Sequence, residues 1–391
     1  MKQLHLIIYI FLMVLAMTAC RTDDQIVYME DVDTGVGNTR GDIVGMYVLC
    51  EGNMGSNKCT LDYLDLSGET VHYLRNIYAE RNPNVVKELG DVGNDAKIYG
   101  SRLWLVINCS NKVEVCRASD AVKIGKIDIP NCRYLAFDDG YAYVSSYVGP
   151  VSIDEQAPRG RVYKVDTLSL QKVDSVVVGY QPEEMAVYGG KLYVANSGGY
   201  RVPDYDRMVS VIDLKTFREE YQVDVAPNLH RMRIDHYGQL WVTSRGNYDD
   251  APACISCLRI SESGQPIVTD QLQVGVSDLC IVGDSLYYCG SEWSQTEQRT
   301  TISYGIMNVR THQVVTHQLS PAPELQQVKM PYGIIVNPQR RDFYVMDAKN
   351  YVSSGDLLHF RSDGSFDYKV RTGDIPAHAT FVYQLKEQNN E

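Results

Sequence analysis

Seven times along the chain a bulky residue, an aromatic and a second bulky residue stand in a row. The triplets are Met46-Tyr47-Val48, Leu103-Trp104-Leu105, Ala142-Tyr143-Val144, Leu192-Tyr193-Val194, Leu240-Trp241-Val242, Leu286-Tyr287-Tyr288 and Phe343-Tyr344-Val345, with Ala142 the one small member. They recur about every 50 residues, a spacing that marks repeat architectures of the propeller kind. Each triplet sits in the same local order. A first apolar stretch precedes it, such as Tyr134 to Phe137 or Arg231 to Ile234, and a short glycine-bearing turn follows that stretch. After the triplet come a loop of variable length and two further alternating stretches, such as Arg161 to Asp166 and Lys172 to Val178. Four short β-prone runs joined by turns make one antiparallel blade. No stretch has a convincing helical period.

The pattern predicts an all-β chain: a seven-bladed β-propeller of four-stranded antiparallel blades over residues 44–385. A pair of β-sandwiches would not call for so even a period. The ends of the repeat say how the ring closes. No first strand precedes Met46, and an unpartnered one, His378 to Tyr383, follows the last blade. The C-terminal strand is therefore expected to complete the N-terminal blade and hide the last sheet edge.

The N-terminus reads as targeting. Leu4 to Met17 is almost wholly apolar, the length of a signal core and too short to span a bilayer. It ends Met17-Thr18-Ala19-Cys20, which looks like a lipobox with Met17 where Leu is usual. Residues 1–19 are expected as a lipoprotein signal peptide, Cys20 as the lipidated residue, 20–43 as a flexible tether and 386–391 as a disordered tail. Arg21 to Asp24 resembles the short acidic tag that sends some lipoproteins to the outer face of the outer membrane. A plain signal peptide or a buried helix remains the alternative.

Net charge is −12, with no basic run, which argues against nucleic acid as a partner. Of ten cysteines, Cys50/Cys59 and Cys109/Cys116 each bracket an expected hairpin loop, so disulfides are conceivable there. Cys254 and Cys257 have metal-type spacing, but residues three apart on a strand face opposite ways and no His stands near to complete a site. No metal or cofactor is expected.

Function should lie on one rim. The loops between second and third strands are long and varied, as in 145–160, 195–207 and 243–253, whereas the turns between first and second strands are short. Long loops on a rigid scaffold carry binding. With the inter-blade turns they offer Asn94, Arg133, Tyr147, Tyr180, Tyr200, Arg201, His230, Arg231, Arg245, Tyr248, Trp293, Tyr332 and Tyr351 as candidate ligand-binding residues. Aromatics beside hydrogen-bonding groups suit a large ligand with polar edges; any single Tyr can equally pack between blades. The chain has 28 Tyr against 7 Phe, so hydroxyl-bearing aromatics dominate. Nucleophile-elbow, zinc-protease, P-loop and dinucleotide motifs are all missing. Asn94, Asn131, Asn196 and Asn228 could imitate the axial calcium ligands of propeller lactonases, but no matching Glu stands at the equivalent blade positions, and the chain is read as a non-enzyme.

The segment Val48 to Asp65, the repeated Leu-Tyr-Val-Ala-Asn unit and the lipobox together resemble the YncE-like propellers of Bacteroidetes surface lipoproteins, most of all the BtuG type. The resemblance spans about residues 44–385. It implies an outer-membrane, surface-exposed lipoprotein that binds cobalamin (vitamin B12) or another corrinoid and delivers it to a TonB-dependent transporter of the BtuB type, with contact to the membrane through the lipid alone. Two other classes stay open: a glycan-binding lipoprotein, for which three Trp are few, and a protein-interaction scaffold without a small ligand.

Overall fold

The structure is a computed structural model, and it describes residues 32–37, 43–85, 88–294 and 299–384. Seven antiparallel sheets follow one another around a ring. In each blade, strands A to D run from the axis outward. Blade 3, for example, holds Cys132–Asp138, Tyr141–Ser146, Arg161–Asp166 and Lys172–Val177 in that order. Two short helices, Ile77–Arg81 and Pro323–Gln326, are the only ones among the described residues.

The triplets explain why the ring holds. All seven sit on strand B, and their central aromatics are buried. Side chains on a strand alternate faces, so the centre of a triplet points to one neighbouring blade and its flanks to the other. Tyr47 of blade 1 packs with Leu103 and Leu105 of blade 2. Trp104 of blade 2 packs with Ala142 and Val144 of blade 3. The relay continues round the ring until Tyr344 of blade 7 meets Met46 and Val48 of blade 1. Each fully buried aromatic contributes about 1.5–3 kcal/mol. The tyrosine excess has a reason here, because a buried ring can carry its hydroxyl to a backbone acceptor. Tyr47 donates to the Ala118 carbonyl at 3.0 Å and Tyr193 to that of Gly264 at 2.8 Å. At two seams, blade 3 to blade 4 and blade 7 to blade 1, strand C comes so close to strand A of the next blade that glycine is required. A Cβ on Gly160 would stand 2.1 Å from Pro182, and one on Gly355 would stand 2.2 Å from Pro376.

Closure follows expectation. Strand A of blade 1 is the C-terminal Pro376–Tyr383, pairing with Ile43–Cys50 in the register Met46↔Phe381, Tyr47↔Thr380 and Val48↔Ala379. The segment expected as a tether carries a further element. Val32–Gly37 adds a fifth, outermost strand to blade 1 beside Thr70–Leu74, covering donors and acceptors that an edge strand leaves bare. The expected long loop of blade 6 is largely ladder: Ser285–Ser294 and Arg299–Asn308 stay paired out to Ser294↔Arg299. The signal peptide, Cys20 and the tail at 386–391 lie outside the described residues.

The conceivable disulfides do not form, and all nine cysteines after Cys20 are free. Cys50 faces blade 7 and Cys59 faces blade 2, across opposite sides of one sheet. Cys116 pairs with Leu103 at the far end of the hairpin from Cys109. Cys254 and Cys257 likewise fall in different inter-blade cores.

Candidate functional site

The mouth of the ring on the long-loop side is built by a slip in strand pairing. At the start of strand A the register between strands A and B shifts in blades 1, 2, 3, 4, 5 and 7. Such bulges re-aim side chains and gather next to functional sites. The residues at the slips are Ala377, Asn94, Arg133-Tyr134, Glu183-Glu184, His230-Arg231 and Tyr332, with His378 the first paired residue after the slip in blade 1.

Near the rim these groups converge on Glu183, which is almost fully buried. Arg133 meets its carboxylate at 3.1 Å, Arg245 approaches at 3.7 Å, and the Tyr147 hydroxyl donates to it. Arg133 also lies over the Tyr147 ring at 4.7 Å, and Tyr147 packs edge-on against Tyr200 at 5.9 Å. Next to this group the Tyr134 hydroxyl bonds His230 Nε2 at 3.0 Å and accepts from Arg231 at 3.2 Å. Burial, then the cations Arg245, Arg231 and Arg133, hold His230 well below the ordinary imidazole range. His230 is therefore neutral, and its buried Nδ1 has no partner. Across the mouth, Glu51 joins His378 at 3.1 Å and the Tyr332 hydroxyl at 3.3 Å, while Tyr332 packs against Tyr351 at 5.3 Å. The nearby Glu51 carboxylate and burial raise the Tyr332 hydroxyl well above its usual range; burial pushes Tyr351 up to about 12.

A second layer lies deeper. Glu184 is held by Arg233 and by Lys97 at 3.7 Å, and Arg231 and Arg233 both approach Asp278, at 3.3 and 3.5 Å. Three acids staple alternate blades to the next inner strand. Asp95 accepts the Leu135 N–H at 2.9 Å, Glu184 that of Met232 at 2.9 Å, and Asp278 that of Ile334 at 3.1 Å. The axis is thus a preorganised polar core with a tyrosine- and arginine-lined mouth.

Of the residues expected from sequence, the structure brings Arg133, Tyr147, Tyr200, His230, Arg231 and Arg245 into one contact group. Tyr332 and Tyr351 pair across the mouth, and Asn94 is tied to the Arg133 carbonyl at 3.0 Å. Tyr180 and Arg201 stand apart as a stacked pair, the guanidinium 3.8 Å from the ring centre. Tyr248 is exposed and touches Tyr205, ring to ring, at 6.1 Å. The side chain of Trp293 is outside the described residues. Of the asparagines that could imitate calcium ligands, Asn131 accepts from Asn108 through its side-chain oxygen, and Asn196 donates through its amide to the Met208 carbonyl and Ser210, whereas the buried side-chain oxygens of Asn196 and Asn228 have no hydrogen-bond partner among the described residues.

Sequence reading missed Glu51, Tyr134, Glu183, Glu184, Asp278 and His378. A signal was there. Counting back from the central aromatic of each triplet sets Arg133, Glu183 and Arg231 at one equivalent position, an unusual place for a charge.

No protein-family model matches the chain, and no curated protein does. Solved structures do resemble it. A putative 6-phosphogluconolactonase from Bacteroides fragilis NCTC 9343 superposes with a TM-score of 0.59 at 11% identity, covering 88% of this chain and 99% of that one. The hydrazine synthase of Kuenenia stuttgartiensis gives 0.58 at 14%, covering 74% and 95%. The β-propeller domain of Myceliophteria thermophila Cps50 (Swd1) gives 0.50 at 10%, covering 82% and 96%. At such identities the likeness is one of fold.

Proposed function

We propose that this propeller is a non-catalytic capture protein. It is anchored by lipid at Cys20 on the outer face of an outer membrane, binds cobalamin or a related corrinoid over the long-loop rim, and hands it to a TonB-dependent transporter of the BtuB type. One observation carries the reading. Loops joining strands B and C in five blades each hold an exposed apolar side chain: Met54 (65% exposed), Ile153 (73%), Val202 (39%), Tyr248 (65%) and Val352 (51%). They stand on the same rim as the tyrosine, arginine and histidine groups of the mouth. Scattered apolar side chains are ordinary on a surface, but five on equivalent loops around a polar mouth suit a broad ligand with an apolar body and amide edges. The resemblance of Val48 to Asp65 to the BtuG type supports the same ligand. The rim is held by ion pairs and ring contacts, so little ordering would be needed on binding.

Calorimetric titration of cyanocobalamin into the purified protein tests this. Wild type should bind saturably, with little change between low and high salt. Tyr248→Ser and Met54→Ser should each weaken binding, by about 2 kcal/mol where the side chain is an anchor, without lowering the melting temperature. The ligand should be recovered chemically unchanged. An absence of binding by wild type, or two variants that bind as wild type does, would reject the reading.

A further inference from the structure

Outside the axial mouth, a cavity of about 350 Å³ opens at the seam of blades 3 and 4. The Tyr180 ring lines it, with the guanidinium carbon of Arg201 over the ring, 3.8 Å from its centre. Arg159 and Arg207 also line it, and both have acids of their own: Glu219 at 3.6 Å and Asp224 at 2.7 Å. Asp206 is likewise committed, accepting from the backbone N–H groups of Tyr180, Arg207 and Met208. Arg201 differs. It has no acidic partner among the described residues, and its Nε is buried without an acceptor. Arg201 is half-buried, with its Nε shielded and unpaired; an unpaired donor shielded from water is costly, and a bidentate oxyanion is the partner the planar fork fits.

The cavity is built rather than incidental. The loop from Ser197 to Asp206 lies so close on the turn at Gly179 that a Cβ on Gly179 would stand 2.4 Å from Asn196 and 2.5 Å from Asp206. Gly198 has φ +57°, and a Cβ there would lie 2.1 Å from the Asp206 nitrogen. Only glycine at both positions lets the loop carry Arg201 onto Tyr180.

We infer that this seam is a second, smaller binding site, for the carboxylate or phosphate group of a small molecule that Arg201 grips from its stacked position on Tyr180. The Tyr180 ring steadies the guanidinium, and the size of the cavity confines the occupant to a compact anion. Asp204 also lines the cavity and is exposed. Its charge opposes an anion through water, so neutralising it should tighten binding.

The probes are benzoate and phenyl phosphate, with neutral benzamide as the control, titrated into the full chain at constant ionic strength. At least one anion should bind saturably and raise the melting temperature, while benzamide does neither; the better of the two identifies the oxyanion. Arg201→Gln should weaken that binding about tenfold or more. Tyr180→Leu, which leaves the charge in place, should weaken it by a smaller factor, and Asp204→Asn should strengthen it. No saturable binding of either anion overturns the inference. Equal binding of benzamide, or unchanged affinity in Arg201→Gln with a wild-type melting curve, overturns it too. None of these readouts needs a corrinoid, so they stand whatever the cyanocobalamin titration returns.

Discussion

Glu184 shows how much one side chain can hold. Burial works against its charge, but Arg233, Lys97 and Arg231 outweigh that and set its carboxyl at about 2, below the ordinary 4.5. The folded state thus favours the carboxylate. Its contribution to stability is complete above about pH 4.5 and is lost as pH falls toward about 2. Glu184→Gln would leave Arg233 and Arg231 facing only Asp278 and would strand buried charge, at a cost of about 3–5 kcal/mol. Urea unfolding at neutral pH measures that cost, and repeating it down to pH 3 should give a flatter acid limb for the variant. A loss below about 1 kcal/mol, or an unchanged acid limb, would make the ion group ornamental. Within its own strand nothing in the amino-acid order marks Glu184 as buried; only comparison with the same stretch of the other blades hints at it. On an alternating strand it reads as a residue facing water, and only the pairing slip between Pro182 and Met185 turns it to the axis.

At the scale of elements the triplets were legible because strand B is buried on both faces, so its bulky residues cannot vary freely. The C-terminal strand was legible for the complementary reason: an apolar alternating run without neighbours must find an edge. Removing residues 376–391 would strip strand A from blade 1, baring a whole ladder and the faces of Met46 and Phe343's neighbour Tyr344. The truncated chain should aggregate, seen as material leaving the soluble fraction in sedimentation, rather than melt a few degrees lower. A soluble truncation with a wild-type melting curve would show that blade 1 is complete without it. Two elements were not legible. Val32–Gly37 alternates Val32, Thr34 and Val36 with Asp33, Gly35 and Gly37, so its β-branched residues are diluted by strand-poor ones, and the available edge of Thr70–Leu74 places it. The blade 6 hairpin reads as a loop because its far end is polar, with Glu292, Arg299 and Thr300 exposed.

For the whole molecule, the proposed lipid at Cys20 is the premise of the proposed surface role. Intact-mass analysis of protein purified from membranes should find the chain beginning at Cys20 and carrying acyl mass. A chain retaining Met1, or one cut elsewhere with an unmodified Cys20, would remove the anchor and with it the proposed hand-over to a transporter. No helix among the described residues is long and apolar enough to cross a membrane.

The ring is joined by residues that are neighbours in space and strangers in sequence: His378 and Glu51, which share a hydrogen bond at the mouth, are 327 positions apart. A chain made from its N-terminus therefore cannot finish blade 1, its first blade, until Pro376–Tyr383 has been made. Every copy terminated before that strand shows the same bare ladder on Ile43–Cys50, wherever synthesis stopped. The first blade to leave the ribosome is thus the last to be sealed.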